Sequence, residues 1–88
     1  MKVTQKPTFK RAYKKLHKNQ RLIVNEAIRS ITNQPLSGVE KNGDLKGVRV
    51  FKFDCMKQLY LLAYTASTDQ IDLLSLGPHE NFYKKLKR

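Results

Sequence analysis

The last thirteen residues, LGPHENFYKKLKR, hold three side chains that are able to transfer protons. His79, Glu80 and Tyr83 fall within five positions, shortly after an apolar run that ends at Gly77. An imidazole takes up or releases a proton near neutral pH, and a carboxylate or a phenol can share that work. The spacing therefore admits a proton-transfer site at the point where a predicted strand stops.

RNA is a substrate that such groups can cleave without a cofactor, because its own 2′-hydroxyl is the nucleophile. Cleavage needs a group that deprotonates this hydroxyl, a group that protonates the leaving 5′-oxygen, and a cation that stabilises the charge on the phosphate. The cluster supplies the first two groups, and we predict Lys52 as the cation, with Arg49 second. Tyr83 also offers a ring on which a base can stack.

An ordinary helix start explains the same residues. Pro78 then marks the boundary, Glu80 is favourable in the first helical turn, and Phe82 belongs to the core. The spacing alone leaves both interpretations open, and it leaves the role of Glu80 open in particular.

The chain is strongly basic, with 18 Lys and Arg against seven Asp and Glu and a formal net charge of +11. Residues 1–25 contain eight of the cations and no acid, and residues 84–88 contain four more. A basic field of this size attracts polyanions, so we expect nucleic acid or an acidic protein as the partner. Five cations are the predicted RNA contacts: Arg11, Lys14, Lys46, Arg49 and Lys57.

Other classes of function lack their signatures. The two histidines, the one cysteine and the scattered acids have no metal-ligand spacing, and no glycine-rich loop precedes a helix, so we expect neither a metal nor a cofactor. No apolar run approaches the roughly eighteen residues of a membrane span, and the amino terminus lacks the apolar core of a signal peptide. The sequence therefore predicts a single cytoplasmic domain, 1–88, with Cys55 as a passive thiol.

The elements that would position the cluster follow from hydrophobic periodicity and from turn-forming residues. Residues 1–5 predict a short strand, and apolar residues at helical spacing predict a helix over 8–17 with His17 at its carboxyl end. Asn19 is the predicted cap of a second helix that ends near Asn33, before Pro35. Residues 34–47 contain three of the four glycines and predict a loop.

Three more strands are predicted over 48–53, 58–65 and 70–77, followed by a short helix over 79–88. The order β-α-α-β-β-β-α predicts an α+β fold, a mainly antiparallel four-stranded sheet with both amino-terminal helices on one face. Alternation along 48–53 places Lys52 with Val50 on the other, shallowly concave face, and Arg49 on the core side. His79 would then lie at the rim of the concave face.

The ordered segments LKGVRVFKF, QLYLLAY and IDLLSLGPHENFY resemble the RelE/ParE superfamily of toxins from bacterial type II toxin–antitoxin systems, and FKRAYKKL resembles the family's first helix. The likeness covers nearly the whole chain. It implies a RelE-like toxin that cuts messenger RNA in the ribosomal A site, leaving a 2′,3′-cyclic phosphate and a 5′-hydroxyl without using a metal. The implied partners are the ribosome with its 16S ribosomal RNA, and an acidic helical segment of a cognate antitoxin.

The resemblance transfers to the site in part. His79 falls where family nucleases carry an arginine or histidine after the last strand, and Tyr83 falls near their terminal aromatic or hydroxyl-bearing residue. Lys52 matches a strand lysine of RelE. A strand arginine of RelE aligns with Leu61, so the cation used at that place is missing here. Either Lys52, Lys57 or Arg49 replaces it, or the site is built like that of the family's histidine-based members.

Two other functions compete with this interpretation. The ParE branch shares the fold but poisons DNA gyrase and lacks a nuclease site, and the carboxyl-terminal histidine and aromatic pair favours a nuclease. A non-catalytic RNA-binding protein would need only the basic charge, and its function would survive the loss of His79.

Overall fold

The computed structural model describes residues 1–79 and Phe82. Along the chain lie β1 (Lys2–Gln5), α1 (Pro7–Lys14), α2 (Lys18–Asn33), β2 (Val39–Glu40), a 3-10 turn (Gly43–Leu45), β3 (Arg49–Cys55), β4 (Gln58–Ala66) and β5 (Gln70–Pro78). The strands form one sheet in the order β1-β5-β4-β3-β2, in which β1 is parallel to β5 and the other neighbours are antiparallel. The predicted α+β fold is confirmed.

The sheet contains one strand more than the four predicted. In β2, Val39 pairs with Val50 and Glu40 pairs with Arg49. A strand of two residues is too short to show the alternation by which strands are recognised in a sequence, and β2 lies inside the predicted loop over 34–47.

The boundary between the two helices also differs from the prediction. α1 ends at Lys14, and the residue that caps the start of α2 is His17, not Asn19. The amide of His17 donates a hydrogen bond of 2.9 Å to Oε1 of Gln20, three residues into the new helix. His17 therefore begins the second helix, and its predicted place at the carboxyl end of the first was wrong.

The main core lies between the helices and one face of the sheet. Phe9 of α1 and Val24 and Ile31 of α2 are fully buried there. They pack against buried residues of the three long strands, and these are Cys55, Tyr60, Leu62, Tyr64, Ile71, Leu73 and Leu76. We call this the helix face of the sheet. No helix within residues 1–79 is long and apolar enough to cross a membrane.

The segment between α2 and β2 is tied to the sheet by Tyr64 and Arg49. The Tyr64 hydroxyl accepts a hydrogen bond from the amide of Gly38 over 2.9 Å and donates one to the carbonyl of Pro35 over 2.8 Å. A Cβ at position 38 would lie 2.7 Å from that hydroxyl oxygen, so the site requires glycine. Arg49 donates to the carbonyl oxygens of Leu36 over 3.3 Å and Gly38 over 2.8 Å.

The opposite side of the sheet, which we call the open face, is partly covered by Phe82. This ring is 4% exposed and packs with Val50, Leu61 and Ala63. Val50 was expected on an accessible concave surface, but it is buried beneath this contact. The amide of Phe82 donates a hydrogen bond to the carbonyl of His79 over 3.3 Å, which ties Phe82 to the end of β5. The remainder of the predicted helix 79–88 lies outside the described residues.

Candidate active site

The sheet fixes the position of His79. Its amide donates a hydrogen bond of 3.0 Å to the carbonyl of Leu59, which continues the ladder formed by Leu61 with Gly77 and Tyr60 with Pro78. His79 therefore stands opposite Leu59 in the register, and its side chain is exposed. Because Gly77 and Leu61 belong to the open face, the alternation of the strand directs position 79 to the same face.

Lys52 lies on the same face as His79, in the neighbouring row of paired residues. It is exposed and pairs with Leu61, which in turn pairs with Gly77. Neighbouring strands are about 4.8 Å apart and two residues span about 7 Å, so the backbones of Lys52 and His79 are separated by about 12 Å. A phosphate above Leu59 would lie between them, within reach of the long lysine side chain and of the imidazole.

Asp54 completes this arrangement, and the sequence analysis did not select it. It is exposed and pairs with Leu59, so His79, Leu59 and Asp54 form one row across three strands. A carboxylate and an imidazole thus flank a half-open leucine that is 39% exposed. The alternation that placed Lys52 on the open face also places the residue two positions later there, and this signal could have identified Asp54.

The hairpin between β3 and β4 brings Lys57 to the same end of the sheet. Met56 and Lys57 are its two turn residues, with φ angles of 53° and 70°. Both residues therefore adopt the left-handed conformation of a type I′ turn, which glycine and asparagine normally fill. Lys57 is exposed, and the pair Cys55–Gln58 separates it from the row that contains Asp54 and Leu59. We call Lys52, Asp54, Lys57 and His79 the open-face site.

The structure does not bring the other predicted RNA contacts to this site. Arg49 lies on the helix face, where the carbonyls of Leu36 and Gly38 and the carboxylate of Glu40, 3.6 Å away, engage its guanidinium. These contacts give Arg49 a structural role, and RNA binding by it stays a prediction.

The remaining three contacts lie at other places on the surface. Lys46 is exposed ahead of β3, at the opposite end of that strand from Asp54. Arg11 and Lys14 are exposed on α1, on the helix side of the sheet. Glu80 and Tyr83 lie outside the described residues, so their proposed catalytic roles stay predictions.

The titratable groups near the site have simple causes for their shifts. Burial raises the pKa of the Cys55 thiol, which is 1% exposed. Burial also raises the pKa of Tyr60, with a smaller contribution from Cys55. A neutral buried thiol is a poor nucleophile, so Cys55 offers no chemistry to the open-face site. Residues 1–79 contain no group of three His, Cys, Asp or Glu side chains that could hold a metal ion.

The chain matches a known protein family over nearly its whole length. Residues 3–87 fit the sequence model described as a ParE-like toxin of a type II bacterial toxin–antitoxin system. The chain belongs to this family of toxins. The predicted membership of the RelE/ParE superfamily is thereby confirmed. No curated protein matches the toxin in sequence.

Solved structures of related toxins share the fold. RelE in the intact RelBE toxin–antitoxin complex of Escherichia coli superposes with a TM-score of 0.72 at 15% identity, over 90% of this chain and 96% of that one. A mutant of E. coli RelE in the free state superposes with a TM-score of 0.74 at 15% identity, over 97% of this chain and 92% of that one. The YoeB/ParE toxin of Agrobacterium tumefaciens superposes with a TM-score of 0.69 at 16% identity, over 90% of this chain and 99% of that one. At these identities the likeness establishes the fold and not the activity.

Proposed function

We propose that this toxin is an endoribonuclease that cleaves messenger RNA on the ribosome and so inhibits translation. The observation that carries the proposal is the row of His79, Leu59 and Asp54, with Lys52 beside it. An imidazole, a carboxylate and the side chain of Lys52 therefore border a place where a phosphate can sit. The net charge of +11 supports an RNA substrate, because a basic protein attracts polyanions over long distances.

Each of these residues has a distinct role in the proposed reaction. Asp54 acts as the general base and takes the proton from the 2′-hydroxyl, whose oxygen then bonds to phosphorus. The bond from phosphorus to the 5′-oxygen breaks, and His79 gives that oxygen a proton. Lys52 stabilises the negative charge that builds up on the phosphate. The products are a 2′,3′-cyclic phosphate and a 5′-hydroxyl, and no cofactor is consumed. Lys57 adds a further cation for the RNA backbone.

The proposed partners follow from the family and from the charge. The toxin would act in the cytoplasm, where its exposed Lys and Arg side chains would bind 16S ribosomal RNA as well as messenger RNA. RelE of E. coli is found in a complex with its antitoxin, and so is RelE of Pyrococcus horikoshii, which has the same fold with a TM-score of 0.58. We propose that a cognate antitoxin neutralises this toxin through an acidic, amphipathic helical segment.

Induction of the toxin in bacteria that lack the antitoxin tests the proposal. We expect growth and protein synthesis to stop together, and new RNA 5′ ends carrying a hydroxyl to accumulate within coding regions. A matched strain that expresses the His79→Ala variant should keep translating. Cleavage that continues unchanged in this strain would contradict the role of His79.

A second candidate function is the poisoning of DNA gyrase, which the ParE-like description of the matching family favours. The same induction experiment separates the two. A gyrase poison would leave protein synthesis running while DNA breaks accumulate, and it would not require the open-face site. A basic RNA-binding protein without catalysis would also survive the loss of His79, but it would produce no new RNA ends.

A further inference from the structure

A groove lies on the helix side of the sheet, away from the open-face site. It has a volume of about 530 Å³ and is formed where the end of α1, the start of α2 and the end of β5 meet. Three basic side chains line it, Arg11, Lys15 and His17. Leu16 and Pro78 are among its apolar lining residues. Volumes of about 300 to 1,000 Å³ are typical of small-molecule sites, so one nucleotide fits this space.

The hydroxyl group of Tyr60 is available to form a hydrogen bond in the groove. Its side chain is 7% exposed and lines the groove. No hydrogen bond to its hydroxyl is formed by residues 1–79 or Phe82, although no fully buried side-chain polar atom in this part of the chain is left unsatisfied. The hydroxyl therefore keeps a solvent-accessible opening. Tyrosine hydroxyls that are otherwise buried usually bind a partner, so this opening suits a ligand atom.

The groove and the open-face site lie on the two faces of the sheet at the end of β5. β1 pairs with β5 only as far as Leu73, so the outer edge of the following residues has no strand partner within residues 1–79. The amide of His79 points to β4, so an amide at position 78 would point to the unpaired edge. Proline has no amide hydrogen and therefore suits this position. Pro78 lines the groove, and the next residue is the catalytic His79 of the proposed reaction.

We propose that this groove binds one nucleotide of the RNA that the open-face site cleaves, an inference that rests on the proposed nuclease function. The phosphate contacts Arg11, Lys15 and His17, and the Tyr60 hydroxyl donates a hydrogen bond to a phosphate or sugar oxygen. The base packs on the apolar side chains of Leu16 and Pro78. The groove thus holds the RNA on one side of β5 while a neighbouring phosphate reaches the other side.

Binding of an RNA that cannot be cleaved tests the proposal without any dependence on catalysis. The probe is a fluorescein-labelled, fully 2′-O-methylated RNA hexamer, and the readout is the dissociation constant measured by anisotropy with the purified full chain. We expect the Arg11→Gln/Lys15→Gln variant to bind about tenfold more weakly than wild type, because it loses direct phosphate contacts. The control is Lys10→Gln/Lys18→Gln, which removes the same charge from exposed positions outside the groove.

The control variant should bind the RNA about threefold more weakly or less, which is the effect of net charge alone. Equal losses in the two variants would overturn the proposal, since only the overall charge would then matter. Tyr60→Phe keeps the buried ring and should weaken binding by about threefold or more. An unchanged affinity of Tyr60→Phe, at an unchanged melting temperature, would also overturn it.

A peptide of twelve glutamates separates RNA from an acidic protein as the occupant. We expect its binding to respond equally to the groove variant and to the control variant. If the peptide instead depends on Arg11, Lys15 and Tyr60 as the RNA does, the groove recognises acidic protein and the proposal is wrong. Failure of the nuclease function would appear separately, as RNA that binds the groove in the normal way but is never cut when it carries 2′-hydroxyls.

Discussion

The amide nitrogen of His79 donates a hydrogen bond of 3.0 Å to the carbonyl oxygen of Leu59. This bond extends the ladder between β4 and β5 by one residue beyond Pro78, the last residue of β5. It therefore fixes the backbone of His79 to the sheet, in one row with Asp54. In the proposed reaction, this hydrogen bond would help to keep His79 in place without help from a partner protein.

Leu61 stands where the resemblance to RelE implies a strand arginine. Leu61 is fully buried and packs with Phe82, Val50 and Ala63. We predict that Leu61→Arg adds no nuclease activity and lowers the free energy of unfolding by about 3 kcal/mol or more, because it places an unpaired charge in an apolar cluster. Leu61→Met, the control of similar volume, should cost less than about 1.5 kcal/mol. Urea unfolding measures both, and a stable, more active arginine variant would contradict the prediction.

The carboxylate of Asp72 should make stability depend on pH. Hydrogen bonds lower its pKa below the ordinary value of 3.8, that from Thr4 first and that from Gln70 second, with smaller contributions from Lys6 and Thr65. Because the folded pKa is the lower one, the stabilisation is complete above the unfolded pKa. It is lost as pH falls from that value through the folded pKa.

Unfolding by urea between about pH 2 and pH 6 checks this dependence. Asp72→Asn should be less stable than wild type at pH 6, and the difference should shrink as the solution becomes more acidic. Asp69→Asn, which removes a carboxylate at an exposed position in the preceding turn, is the control. A deficit of Asp72→Asn that stays constant across this range would mean that the hydrogen bonds do not favour the charged form.

Glycine in the hairpin turn at Met56 and Lys57 should make the protein more stable. Lys57 has a φ of 70°, a conformation that costs a residue with a Cβ about 1 kcal/mol or more. We predict that Lys57→Gly raises the free energy of unfolding by about 0.5 to 1 kcal/mol. Lys46→Gly is the matched control, because Lys46 is exposed and has a φ of −55°, where glycine only adds freedom to the unfolded chain. Thermal melting should place the two variants on opposite sides of wild type.

Antitoxin binding should change the carboxyl-terminal segment more than the sheet. Phe82 covers Val50, Leu61 and Ala63, which form an apolar patch that an amphipathic segment can take over. In hydrogen exchange with and without the antitoxin, we expect the strands to gain protection and residues 79–88 to change most, either released or newly buried. Complete inhibition with unchanged exchange over 79–88 would show that the antitoxin acts elsewhere on the surface.

The sequence could predict those features of the site that depend on neighbouring residues of one strand, and not those that depend on contacts between distant segments. Alternation along β3 placed Lys52 on the open face, and the same rule would have found Asp54 two residues later had the strand been continued past Phe53. The role of Arg49 could not be read in this way. Its partners are the carbonyls of Leu36 and Gly38, which only the packing of the loop on the sheet brings within reach.

The helix-side groove was beyond sequence reasoning for a similar reason. Arg11, Lys15 and His17 were visible as cations and an imidazole in the sequence, but Tyr60 enters only when α1 packs across β4 and β5. The strand β2 was missed because two residues carry no periodic signal. Long periodic elements were therefore predictable, whereas the contacts between them required the structure.

The rate at which purified toxin cleaves messenger RNA on bacterial ribosomes tests the central claim most directly. We predict that His79→Ala and Asp54→Asn each slow cleavage by about a hundredfold or more, the usual contribution of a general acid or base. Asp69→Asn, the matched control, should cleave as fast as wild type, and the products should end in a 2′,3′-cyclic phosphate and a 5′-hydroxyl. Wild-type rates in both site variants, with correctly folded protein, would contradict the claim that His79 and Asp54 form the catalytic row.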